Sequence, residues 1–134
     1  MIESKSTIRV RYAETDMMGV VYHGSYLPWL EVARTDMFRH AGLSYFELEQ
    51  KGYQLPVLSL EVKYHRPAVY DDQIEITAML KGRPLLRIHL EYELRRGHEL
   101  IVTASTEHAF IDQKGTPSRP PAEFTDLMSR HFDS

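Results

Sequence analysis

Residues 14–34 read ETDMMGVVYHGSYLPWLEVAR, setting an acid, a glycine, two β-branched residues, a tyrosine and a histidine directly ahead of a helical pattern. From about Ser25 to His40 the apolar residues Tyr26, Trp29, Leu30, Ala33 and Met37, then Ala41, recur at steps of three and four. Glu31, Arg34, Thr35 and Arg39 fall opposite, so the segment predicts an amphipathic helix with a broad apolar face. Pro28 is tolerated because it lies in the first turn, where a missing N–H has no intrahelical acceptor, and Gly42 supplies a C-terminal stop.

On either side of this helix the period is two. Thr7 to Tyr12 alternates, with Ile8, Val10 and Tyr12 on one side and Arg9 and Arg11 on the other, and predicts the first strand. After the helix, VLSLEVKYHRP (57–67) puts Leu58, Leu60, Val62 and Tyr64 on one face. DQIEITAML (72–80) does the same with Ile74, Ile76, Ala78 and Leu80. The turn KGRP (81–84) leads into LRIHLEYELRR (86–96), and RGHE turns the chain again into a last strand from about Leu100 to Ile111. A loop, DQKGTPSRPPAEF, ends in a short, weakly apolar C-terminal segment that can be helical. Four strands joined by turns too short for a crossover pair antiparallel, giving a two-layer α+β fold in which one sheet buries its apolar face against one helix. Pattern alone leaves a cystatin-like or other small sheet-and-helix fold open.

Composition narrows the function classes. The 134 residues, 43% hydrophobic and 26% charged, suit one domain spanning 1–134. A net charge of −3 gives no general attraction to nucleic acid or to acidic membranes, so neither is an expected partner. The absence of cysteine removes disulfides, thiolate metal sites and cysteine nucleophiles, and suits a reducing compartment, with the cytoplasm as the expected location. The start MIESKSTIRVRY has no signal-peptide pattern, and no apolar run approaches the ~18 residues of a membrane span. His40, His65, His89, His98, His108 and His131 show no zinc-binding spacing, and neither a metal nor another cofactor is expected.

The chemistry concentrates at the helix entrance. Asp16 stands in a loop after the first strand, and Gly19 lets the backbone turn before Val20, Val21, Tyr22 and His23 enter the helix. Unpaired N–H groups around His23 and Gly24 can hold the oxygen of a polarised carbonyl. Without a cysteine or a G-x-S-x-G elbow, Asp16 is the candidate base or nucleophile. A carboxylate is ionised but weakly basic at neutral pH, which favours a reactive ester such as a thioester over an amide.

RYAETDMMGVVYHGSYLPWLEVAR, with its D-x-x-G-V-V-Y-H-x-x-Y core, resembles the signature of hot-dog-fold acyl-CoA thioesterases, the group containing the Tol-Pal-associated and 4-hydroxybenzoyl-CoA thioesterases. The resemblance covers nearly the whole chain, with VKYHRPAVYDDQIEI and SRPP in comparable places. It implies an antiparallel sheet of about five strands wrapped around one long helix, and hydrolysis of acyl-CoA to free acid and CoA. It further implies that Asp16 is the catalytic carboxylate, as general base or nucleophile, and that the backbone N–H near His23 polarises the carbonyl. By the same resemblance Tyr12 and His23 line the site, Gly19 and Tyr22 shape its loop with Gly24 at the helix start, and Lys81, Arg83 and Arg87 can meet the CoA phosphates. A homodimer or homotetramer, with sites formed between subunits, is implied as well. Ser25 departs from the asparagine of many members, and Met17 and Met18 from smaller or more polar residues; these differences bear on acyl specificity.

Two other classes share these residues: a non-catalytic module binding acyl-CoA or acyl carrier protein in the same pocket, and a scaffold for envelope or lipid-synthesis partners. A scaffold has no need of a carboxylate, a close-turn glycine and a helix start at this spacing, which favours the enzyme.

Overall fold

The computed structural model describes residues 1–133. Five strands, β1 (Ile2–Arg9), β2 (Val57–Tyr64), β3 (Gln73–Leu80), β4 (Ile88–Arg96) and β5 (Glu99–His108), form one sheet in the order β1-β3-β4-β5-β2. Every neighbouring pair is antiparallel. The helices are α1 (Tyr26–His40), α2 (Tyr45–Gln50) and α3 (Ala122–Phe132). This is the sheet-and-long-helix arrangement that the periodicities predict.

Alternation in the sequence becomes burial. Ile74, Ile76, Ala78 and Leu80 of β3 and Ile88, Leu90, Tyr92 and Leu94 of β4 are all buried. They meet Tyr26, Trp29, Leu30, Ala33, Met37 and Phe38 of α1, while Phe124, Leu127 and Met128 of α3 join the same core. Truncating one of these to alanine costs about 2–5 kcal/mol.

Three elements differ from the sequence reading. First, β1 starts at Ile2 and ends at Arg9, rather than running from Thr7 to Tyr12. Its early half is inconspicuous because the inward positions include Ser6, whose hydroxyl donates to Asp36 Oδ2 at 3.1 Å, where a strand pattern would show an apolar residue. Its end is set by Val10, which exchanges backbone hydrogen bonds with the Asp71–Asp72 turn, after which Tyr12–Glu14 coils into a 3-10 turn and leaves Tyr12 71% exposed. Second, α2 has no sequence-level expectation: six residues of mixed character carry too short a period to be seen. It is started by Ser44, whose side chain accepts from the Glu47 N–H at 3.3 Å. Third, Leu58, Leu60 and Tyr64 of β2 stay exposed, because β2 is an edge strand while α1 lies against β1 and β3 at the other side.

Consecutive strands β1 and β2 occupy opposite edges, so the segment holding α1 and α2 crosses the whole sheet. The loop leaving β1 is thereby laid against the β2–β3 connection: Val21 N–H donates to the Ala68 carbonyl at 2.8 Å and Val20 bridges Val69.

Candidate active site

The motif builds a small hairpin before α1. Asp16 N–H donates to the Val20 carbonyl at 2.8 Å and Tyr22 N–H to the Glu14 carbonyl at 2.8 Å, with Thr15 and Val21 bridging between them. At its tip Gly19 N–H donates back to the Asp16 carbonyl, and Gly19 adopts φ +82°, which disfavours any side chain. Met17 and Met18 stand fully exposed on this tip. Asp16, half-buried, accepts from the Met18 N–H at 2.9 Å through Oδ1, an arrangement that fixes the carboxylate and leaves Oδ2 without a partner among the described residues.

The helix begins within a residue of the expected Ser25, but Val20 to His23 do not lead into it directly as the sequence reading has them. Val20 to Tyr22 form the returning arm of the hairpin, His23–Ser25 is a 3-10 turn, and α1 starts at Tyr26. The turn leaves the chemistry in place: among the described residues nothing accepts from the N–H groups of His23 and Gly24, and no side chain caps the turn. Tyr64 Oη donates to the His23 carbonyl at 2.9 Å, fixing the peptide that carries the Gly24 N–H. A Cβ on Gly24 would come 2.9 Å from Cε2 of the exposed Tyr22 ring, so any other residue there displaces that ring. The Tyr22 and His23 rings lie 4.1 Å apart, and Tyr12 stacks on Tyr70 at 3.6 Å.

One residue of the quoted stretch does more than its position announces. Glu14 accepts from the Arg11 N–H at 2.8 Å and from the Trp29 indole N–H at 2.7 Å, tying the hairpin to the first turn of α1. Burial alone would raise its carboxyl; the hydrogen bonds from Arg11 and Trp29 and the Arg11 charge outweigh it and hold the group below the ordinary carboxylate value. Tyr64 and Glu14 are thus two site residues that sequence reasoning missed. Tyr64 sits 41 residues from His23 with no local sign of the contact, whereas Glu14 stands inside the motif itself.

A cleft of about 270 Å³ opens beside the turn, lined by Val20, His23, Tyr26, Tyr64, His65 and Arg66 among others. The structure therefore brings Asp16, Gly19, Tyr22, His23 and Gly24 into one hairpin and turn, with Tyr12 just before it. Lys81, Arg83 and Arg87 are elsewhere. Arg9 pairs with Gln73 and Ile2 with Leu80, so the turn after β3 lies at the far end of the β1–β3 ladder, roughly 23 Å of strand from the Asp16 loop. There Lys81 pairs with Glu91 and Arg87 with Glu107, at 3.4 and 3.3 Å, and Arg83 with Asp133.

Comparison with known proteins agrees with this architecture. The profile described as Thioesterase-like superfamily matches residues 10–129. The Bacillus subtilis protein named "Putative acyl-CoA thioesterase YneP" is 34% identical over 83% of this chain and 81% of its own length. A Synechocystis protein named "Putative esterase sll0410" is 48% identical, covering 85% of this chain and 72% of its own. The crystal structure of a DHNA-CoA thioesterase from Staphylococcus aureus superposes with a TM-score of 0.92 at 35% identity, over 98% of this chain and 91% of that one. No helix among the described residues is long and apolar enough to cross a membrane. With the profile running from the end of β1 into α3, and the same sheet and helix recurring in a relative at this level of identity, the chain belongs to the thioesterase-like superfamily and has its hot-dog fold.

Proposed function

We propose that this protein hydrolyses acyl-CoA thioesters to the free acid and CoA. The observation that carries the reading is the hairpin: a carboxylate held by one N–H, and at the base of the same hairpin two N–H groups, with neither these groups nor the second carboxylate oxygen partnered among the described residues. The N–H groups of His23 and Gly24 receive the thioester oxygen as it becomes anionic, each such donor contributing roughly 3 kcal/mol in comparable sites. Asp16 acts as general base toward water, and the relatives named as acyl-CoA thioesterases support the substrate class. Tyr12, Tyr22 and His23 line the acyl-CoA path, with Gly19 and Gly24 giving the backbone its close turns.

The working assembly in this reading is a homodimer or homotetramer. Its support is the uncovered β2 edge, where Leu58, Leu60 and Tyr64 stand exposed beside unpaired backbone. Lys81, Arg83 and Arg87 lie roughly 23 Å of strand from the Asp16 loop, and in this reading they meet the CoA phosphates, which the pantetheine arm carries well away from the thioester. The cysteine-free chain suits the reducing cytoplasm, with acyl carrier protein as an additional acyl donor.

Thiol release from a panel of short, long and aromatic acyl-CoAs, measured for the native protein and Asp16→Asn together, tests the reaction. The variant is expected to lose about 10²–10⁴-fold in turnover while still binding acyl-CoA and keeping its oligomer. Unchanged turnover in the variant overturns the assignment, and saturable binding by the native protein without turnover establishes a binding module instead.

A further inference from the structure

The peptide between His23 and Gly24 joins two hydrogen-bonding roles. Its N–H has no acceptor among the described residues and is one of the two donors offered to the thioester oxygen. Its carbonyl accepts from Tyr64 Oη at 2.9 Å, and because a carbonyl can only accept, the phenol is the donor. The peptide is trans and planar, so its C=O and N–H point in opposite directions along nearly the same line. A donor placed on the carbonyl draws electron density from the amide nitrogen and strengthens the N–H at the other end.

Tyr64 is held where it can do this. It is the last residue of β2 and pairs with Val102 of β5, and the next two N–H groups, those of His65 and Arg66, both donate to the Ile101 carbonyl, at 2.8 and 3.1 Å. Its ring meets that of the buried Tyr26 edge-on, with centroids 5.5 Å apart. The sheet supplies the base of the ring and the first residue of α1 its flank, while the hydroxyl reaches a turn 41 residues earlier in the chain. Partial burial pushes the phenol above its ordinary value, so it stays protonated and able to donate through the neutral range. With His23 the ring also lines the open cleft of about 270 Å³, which places this relay at the site itself.

We infer that Tyr64 is a positioning residue of the reaction: through its hydrogen bond to the His23 carbonyl it aims and polarises the Gly24 N–H, whose bond to the thioester oxygen strengthens as that oxygen becomes anionic. The inference rests on the thioesterase reading, which makes the Gly24 N–H a donor to the developing oxyanion. A donor of that kind contributes on the order of 10²–10³-fold in rate, and a polarising neighbour strengthens a hydrogen bond by roughly 10–30%, so the hydroxyl contributes about two- to eightfold. Two simpler roles behave differently. A hydroxyl that only braced the turn would serve equally well whatever its acidity, and one that touched the substrate would weaken ground-state binding when lost.

The test follows single-turnover thiol release from the acyl-CoA that the native protein hydrolyses fastest, with KM and the melting temperature measured alongside. In Tyr64→Phe the rate is expected to fall about two- to eightfold, with KM and melting temperature little changed. Fluorotyrosines of graded acidity, placed at position 64 and assayed at a pH low enough to keep every phenol protonated, separate polarisation from bracing, and they decide the matter even should Tyr64→Phe not fold. The rate is expected to rise with phenol acidity. An unchanged rate in Tyr64→Phe, a loss confined to KM, or a rate that stays flat across the fluorotyrosines overturns the inference while leaving the thioesterase reading intact. Failure of the native protein to hydrolyse any acyl-CoA overturns both.

Discussion

Glu14 shows how much one side chain can hold. Its two carboxylate oxygens and its carbonyl fasten the Arg11 N–H, the Trp29 indole and the Tyr22 N–H, so it fixes the distance between the Asp16 loop and the start of α1. Glu14→Gln retains the shape but weakens charge-assisted bonds, and Trp29→Phe removes one; each is expected to cost about 1–3 kcal/mol in denaturant unfolding. Because the folded carboxyl is held below its usual value, the stability it contributes is present above the unfolded value of 4.5 and is lost as pH falls through the folded one. A Glu14→Gln protein whose stability follows the native curve below pH 4.5 would contradict that account. The local contacts of Asp16, Gly19 and Gly24 are legible in the sequence because each is made within a few residues of itself. Glu14's partner on α1 and the buried Tyr92–Thr106–His108 chain are not, since both depend on which residues the fold brings together. Gly24→Ala belongs at this scale as well: the added Cβ meets the Tyr22 ring, and we expect reduced turnover with thermal stability changed little, read by thiol release beside a melting curve.

Among the elements, those with a strong period were read well and those built on polar anchors were not. α1, β3 and β4 match their patterns to within a residue or two, as a buried face of Leu, Ile and Tyr dictates. β1 differs from its expected bounds because its inward positions include Ser4 and Ser6, of which Ser6 bonds to Asp36, and because Tyr12–Glu14 curls into a 3-10 turn. α2 depends on its cap: Ser44→Ala removes the acceptor for the Glu47 N–H and is expected to cost about 1 kcal/mol. Since α2 carries Tyr45, whose hydroxyl accepts from the Leu55 N–H at 3.2 Å, the loss should spread to the β2 entrance, seen as faster amide exchange at Leu55 than in the native protein. Equal exchange rates in the two proteins would show that α2 and β2 open independently.

For the molecule as a whole, the buried neutral His108 makes acid sensitivity a global property. The folded state holds it near 4 and the unfolded chain near 6.5, so the unfolded state binds the extra proton between those values. Stability therefore falls as pH drops from about 6.5 to about 4 and flattens below, by up to about 3 kcal/mol from this residue. Urea unfolding of the native protein and His108→Gln across that range should show a shallower slope in the variant. The homo-oligomer proposed above is tested at the same scale: Leu60→Lys places a charge on the exposed β2 edge and is expected to shift the protein toward the monomer in sedimentation, with the secondary structure unchanged.

The strand order also constrains how the chain comes into being. β3, β4 and β5 are joined by short turns and can zip up locally, but β2 must wait, because its place beside β5 lies across the sheet from β1 and is reached only through α1 and α2. In a newly made chain β2 emerges before β5, so it stands as an unpaired strand, a bare row of amides and carbonyls, until β5 is made and folds beside it. Crowding during that interval should favour exchange of β2 between chains over simple clumping.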